Sequence, residues 1–195
     1  MNRTKLRRGP KSAVCPSMHG MEFHHWASDP VRLRKMSYPQ SGDPKPNGLW
    51  FDVNEEWKRW CEAVQFRLET LRYRHMVTIL DTSRILLLQS AKDIDAFTRK
   101  YGRNHSGGIQ LLQGAKDIDA FTRKYGNDLF GDIRRQLSEY IIWGEVALKY
   151  SGIIVAPYSR SRSQAYLWYY GWHCASGCVW DTSAIRLGRP CRMTK

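Results

Sequence analysis

Ile85-Leu86-Leu87-Leu88-Gln89-Ser90-Ala91-Lys92-Asp93-Ile94-Asp95-Ala96-Phe97-Thr98-Arg99-Lys100-Tyr101-Gly102 decides the fold class of this 195-residue chain. Its first four residues, Ile85 to Leu88, form a short apolar run that with Gln89 has the length of a strand. Ser90 then offers a side-chain oxygen to the unpaired amides of a helix's first turn, and Gly102 is a natural stop. Ile94, Phe97 and Tyr101 recur at helical spacing and predict one inner face. A strand handed directly to an amphipathic helix, within a chain of other short strands, predicts an α+β fold.

The same unit is written twice. Leu87 to Gly102 recurs as Leu111 to Gly126, and the single difference is Ser90 becoming Gly114. Solenoids of this period need at least three copies to bury a shared core. Two near-identical copies predict a tandem duplication inserted over residues 103–126. Ser90 caps better than Gly114, so Ala91 to Tyr101 is expected in the native helix slot, with the second copy in that slot and the first displaced as the competing register.

Working back toward the N-terminus, Arg72 to Leu80 alternates, with Tyr73, His75, Val77 and Ile79 on one side, and predicts a half-buried strand. Leu49 to Val53 predicts another. A helix follows, with Asn54 as its N-cap and Trp57, Trp60, Cys61 and Val64 on one buried face. The stretch from Tyr38 to Gly48 holds three prolines and two glycines and predicts a shaped loop. Met21 to Trp26 predicts a first strand, and residues 1–20 a flexible basic arm.

Toward the C-terminus, Ile133 to Tyr150 predicts one or two helices, and Ile153 to Ala156 a buried strand ended by Pro157. The aromatic segment Ala165 to Trp180 predicts two short strands around Gly171 and Gly177. Residues 21–187 are read as one domain and 188–195 as a basic tail.

Charge is concentrated at the ends. Of the formal +13, residues 1–35 carry +6 and residues 158–195 carry +5. Clustered cations gain affinity for polyanions by releasing counterions, so a nucleic-acid partner is expected. No apolar run reaches membrane-spanning length. With five cysteines in no framework spacing, this predicts a cytoplasmic protein without a membrane partner. His173, Cys174, Cys178 and Cys191 have the chemistry of zinc ligands, but their spacing lacks a two-plus-two pairing, so buried thiols are expected and no metal. Patterns for dinucleotide folds, P-loops, zincins and α/β-hydrolases are absent from the sequence.

Phe23-His24-His25-Trp26-Ala27, the long loop into Gly48-Leu49-Trp50-Phe51-Asp52, the aromatic helix, Tyr73 to Leu80 with Ile85-Leu86, and Tyr150-Ser151-Gly152-Ile153-Ile154 together resemble the ADP-ribosyltransferase superfamily, over about residues 22–186. The resemblance implies split mixed β-sheets with flanking helices, and NAD as substrate. It implies that His25 and Trp26 hold NAD from the first strand, and that Trp50 and Trp57 supply aromatic pocket walls. Asp52 stands where such enzymes usually place a hydroxyl residue. The late carboxylate that stabilises the ribosyl cation is Asp181, with Glu145 as the alternative. The expected function is transfer of ADP-ribose to a nucleic acid or a nucleic-acid-associated target. Arg32, Arg34, Arg160, Arg162, Tyr166 and Trp168 are the expected nucleic-acid contacts. Two alternatives stand beside it: a noncatalytic nucleic-acid-binding module using the same basic and aromatic residues, and a scaffold carrying a duplicated helix.

Overall fold

A computed structural model describes residues 18–41, 43–103 and 140–193. It is a mixed α+β fold. The strands are β1 (Phe23–Ala27), β2 (Leu49–Val53), β3 (Tyr73–Ile79), β4 (Ile85–Leu88), β5 (Gly102–Arg103), β6 (Tyr140–Ile141), β7 (Gly152–Val155), β8 (Ser176–Val179), β9 (Ile185–Leu187) and β10 (Cys191–Arg192). The helices are α1 (Glu56–Val64), α2 (Ala91–Tyr101), α3 (Trp143–Ala147), α4 (Arg160–Ala165) and α5 (Leu167–Tyr170).

The main sheet runs β10-β3-β1-β2-β8-β7-β4, with β9 also on β3. Among the described residues only β4 and β7 pair in parallel, as expected for strands joined through a helical connection. The pairing of β1 with β2 is short. Phe23 faces Val53 and His24 faces Asp52. Beyond that point β1 stays with β3 through Ala27, while β2 stays with β8 back to Leu49. The two halves therefore part at His25 and Trp50.

Period-two alternation divides the core between the two faces of the sheet. Ile154 joins Phe23, Phe51, Val53 and Val77 on one face. Ile153 and Val155 face the other, against α2, α3 and α5. Gly177 permits the close approach of β8. A Cβ there would overlap the Phe51 ring and the Ile153 carbonyl oxygen.

Helix α2 follows its sequence closely. Ser90 accepts the Asp93 amide while the Asp93 carboxylate accepts the Ser90 amide, a reciprocal cap. Ile94, Phe97 and Tyr101 are buried. The first copy of the repeated unit thus fills a core position, while the second lies outside the described residues.

Other expectations are corrected. Asn54 does not cap α1. Asn54 and Glu55 both adopt left-handed backbone, and Asn54 instead accepts the Glu22 amide. The first-turn amide of Trp57 is taken by the Asp52 carboxylate. Among the described residues only Cys61 of α1 is buried, and Val64 is 51% exposed. Within 140–150, Tyr140–Ile141 is a strand paired with β5, and only α3 is helical. Leu167–Tyr170 is helical, so the aromatic segment contributes one strand, β8, rather than two. Residues 188–193 are no tail, since Cys191 and Arg192 pair with β3. Residues 1–17, of the expected arm, lie outside the described residues, as do 104–139.

Candidate active site

Where the sheet parts, a cavity of about 400 Å³ opens. His25, Trp26, Trp50, Asp52 and Trp57 all line it. His24, Lys45, Arg67, Trp172 and His173 complete much of the wall; the sequence singled out only His173 among them, and as a zinc-ligand candidate rather than a cavity residue.

Asp52 organises the site. Its Oδ2 accepts Trp26 Nε1–H at 3.0 Å and the Trp57 amide at 3.0 Å, which fixes one indole and the start of α1 on a single oxygen. Its Oδ1 lies 3.5 Å from His24 Nδ1. Both side chains are buried, at 1% exposure each, yet among the described residues Oδ1 and both His24 ring nitrogens have no hydrogen-bond partner. Unsatisfied buried polar atoms are costly and mark a place where a ligand or water belongs. Burial holds the Asp52 carboxyl above the usual carboxylate range, despite the opposing indole and amide bonds.

His25 Nδ1 sits 2.7 Å from the Trp50 carbonyl. A carbonyl oxygen only accepts, so Nδ1 carries the hydrogen and Nε2 is the free acceptor of the neutral ring. Burial holds the His25 imidazole below its ordinary value, overriding the favourable carbonyl contact, and nearby His75 adds to the lowering. The ring is neutral at pH 7 and Nε2 is basic.

Aromatic walls surround these groups. Trp50 meets Trp172 edge-on at 4.8 Å. Trp57 stacks on Trp60 at 5.1 Å, and Trp60 stacks on His173 at 4.4 Å with the rings 2° from parallel. Lys45 reaches over the Trp50 ring at 5.3 Å, and burial lowers its ammonium pKa. The proline-rich loop delivers Lys45, and it is held in shape by reciprocal bonds between Gln40 and Asn47. Arg67 enters from the left-handed turn after α1. Aromatic faces and two cations thus line the same cavity as one buried carboxylate.

The other expected site residues lie elsewhere. Asp181 is outside the cavity lining and is held by the Ser183 amide and hydroxyl and by Arg84, at 3.0, 2.7 and 2.9 Å. Hydrogen bonds from Ser183, with Arg84 beside it, hold its carboxyl below the usual range. Glu145 is half exposed on α3, 3.6 Å from Arg103. Neither carboxylate lines the cavity. Arg162 is engaged by Asp95 through two 2.7 Å bonds, and the Tyr166 hydroxyl donates to the same carboxylate. Trp168 is wholly buried and donates to Thr98. Trp168 therefore builds the interior rather than a base-stacking surface, while Arg162 and Tyr166 stay half-buried in their contacts with Asp95. Arg32, Arg34 and Arg160 are exposed.

Replacing Arg162 with alanine is expected to cost about 1 kcal/mol of stability, the scale of a well-formed but partly exposed ion pair, and to leave nucleic-acid affinity unchanged. Denaturant unfolding and oligonucleotide titration check the two halves.

Among the described residues no three His, Cys, Asp or Glu side chains gather as a metal-holding group. Burial pushes the Cys174 thiol up to about 12 and Cys178 higher still, so both remain thiols at neutral pH. Cys191 lies apart from them on exposed β10. Among the described residues no helix is long and apolar enough to cross a membrane. No protein-family model, curated protein or solved structure matches the chain.

Proposed function

We propose that the cavity binds NAD and that the protein transfers ADP-ribose to a nucleic acid or a nucleic-acid-associated target. The observation that carries this reading is the convergence of His25, Trp26, Trp50 and Trp57 on the buried, half-unpaired carboxylate of Asp52. The resemblance of the first two strands to ADP-ribosyltransferases points the same way.

Each residue has a role that follows from its surroundings. The indoles of Trp50 and Trp57 offer stacking surface for the nicotinamide and adenine rings. Lys45 and Arg67 offer positive charge to the diphosphate. When the bond between nicotinamide and ribose breaks, its electron pair neutralises the pyridinium nitrogen and leaves positive charge on the sugar. The fixed Asp52 carboxylate stabilises that charge in a partly dry pocket. Asp52 takes this part because Asp181 and Glu145 lie outside the cavity. Neutral His25 can receive the acceptor's proton at Nε2 as the new bond to the sugar forms.

Both ionisation requirements fall on the acid side. Asp52 must lose its proton, and its raised pKa delays that loss to higher pH. His25 must stay neutral, and protonation disables it only as pH falls below its ordinary value of 6.5. Nicotinamide release should therefore decline on acidification. A rate that instead rises toward pH 5 contradicts these assignments.

The reading is tested by incubating the protein with NAD, with and without oligonucleotide, and measuring nicotinamide chromatographically. Release that is lost in His25→Ala supports it. Absence of both release and NAD binding removes it.

A further inference from the structure

We infer that the basic segments Arg32–Lys35 and Arg186–Arg192 fold into one nucleic-acid-binding surface at the sheet edge where β9 and β10 flank β3, and that this surface holds a phosphate backbone. The inference deepens the acceptor class proposed above, but it stands on different residues from the cavity.

Two hydrogen-bonding side chains bring the segments together. His75 is completely buried in β3. Its Nε2 accepts the Val31 amide at 3.2 Å and its Nδ1 donates to the Gly188 carbonyl at 3.0 Å. One neutral imidazole thus joins the segment after β1 to the turn between β9 and β10. Thr182 makes a second tie, accepting the Met36 amide at 2.8 Å and donating to the Arg34 carbonyl at 2.8 Å. On the other side, β9 sets Arg186 opposite Thr78 and β10 sets Arg192 opposite Tyr73.

Arg32, Arg34, Lys35, Arg186, Arg189 and Arg192 collect around this edge, and all six are exposed. Among the described residues none of the six is paired with a carboxylate, whereas Arg74, Arg84 and Arg162 are held by Glu55, Asp181 and Asp95. Unpaired cations on a surface with an extended backbone favour a linear polyanion. Five of the six are arginine, whose planar fork grips phosphate oxygens in pairs. The seven residues of β3 span about 23 Å, room for several consecutive phosphates. Such contacts fix position without reading sequence.

The edge also lies close to the cavity. Only β1 separates β3 from the opening, and His25 and His75 are register partners with ring centres 6.1 Å apart. β9 and β10 cover the outer side of β3, so a nucleic acid held beyond them lies about three strand spacings, or about 14 Å, from β1.

The test uses the full chain and fluorescence anisotropy with labelled 20-nucleotide single strands and duplexes of mixed sequence. The triple variant Arg186→Glu/Arg189→Glu/Arg192→Glu and the triple variant Arg32→Glu/Arg34→Glu/Lys35→Glu should each weaken binding at least tenfold. Each should also lower the salt slope by about 2 to 3, roughly one per lost phosphate contact. Arg160→Glu, an exposed cation away from the edge, should bind as the parent does. Unchanged melting temperatures confirm that the fold is retained. The inference is overturned if either triple variant binds normally, if Arg160→Glu loses as much affinity, or if phosphatidylserine vesicles capture the protein while oligonucleotides do not. Normal nicotinamide release with unaltered oligonucleotide binding in the triple variants removes the edge alone. Edge-dependent binding without nicotinamide release supports the edge and removes only the NAD reading.

Discussion

Replacing Trp168 with alanine is expected to lower unfolding stability by about 3–5 kcal/mol, a large share of what a domain of this size possesses. The side chain is entirely buried. Its ring meets Phe97 at 5.1 Å and Trp143 and Trp172 at 5.9 Å, so truncation opens a void where α2, α3 and α5 meet the sheet. Its indole nitrogen donates to the Thr98 hydroxyl, and Thr98 in turn donates to the Ile94 carbonyl inside α2. Removing the indole leaves Thr98 short of one partner in a dry interior. Urea titration followed by circular dichroism measures the loss. Trp168→Phe should recover most of the packing and cost less. A Trp168→Ala protein as stable as the parent, but weaker for oligonucleotides, would return this residue to the surface role that the sequence suggested.

The second large effect concerns chemistry. Asp52→Asn should reduce nicotinamide release by about 100- to 1000-fold, the usual scale for removing one group that stabilises charge in a transition state. The amide oxygen of asparagine can still accept Trp26 Nε1–H and the Trp57 amide, so the fold should survive. Asp52→Ala differs in kind. It leaves both buried donors unpaired, at about 1–3 kcal/mol each, and detaches the start of α1 from the cavity. Comparing turnover and melting temperature across the two variants separates the charge from the scaffold. Equal turnover in parent and Asp52→Asn would remove the carboxylate from the reaction.

How much of this could be read from the sequence depends on how local each cause is. Helix α2 was legible throughout, because Ser90 and Asp93 cap within one turn and Ile94, Phe97 and Tyr101 share a face at a fixed period. Four short strands, β1 to β4, were legible for the same reason. Composition misled in the segment around residue 166. Arginines beside tyrosines and tryptophan have the make-up of a nucleic-acid surface, but Asp95, 67 residues before Arg162, engages Arg162 and Tyr166, and Trp168 is buried. Nothing near Arg162 announces that partner. The C-terminal strand was missed because its ladder partner, β3, lies more than a hundred residues earlier.

The candidate site shows the same division. His25, Trp26, Trp50 and Asp52 sit on two strands that alternation predicts, so their meeting was foreseeable once β1 and β2 paired. Lys45 and Arg67 come from a loop and a left-handed turn, where no period places a side chain. His24 looked like an ordinary strand residue until its register partner proved to be Asp52. The late carboxylate was sought by sequence order, and order does not bring Asp181 to the cavity. Its bonds to Ser183 and Arg84 occupy it elsewhere.

The most direct measurement of the central claim is a calorimetric titration of NAD into the full chain, run beside the same titration of Trp50→Ala. The account predicts saturable one-to-one binding in the range from about 1 μM to 1 mM typical of enzyme substrates, weakened at least tenfold when Trp50 is truncated. Absence of any binding heat from the parent protein, together with no release of nicotinamide, would contradict it.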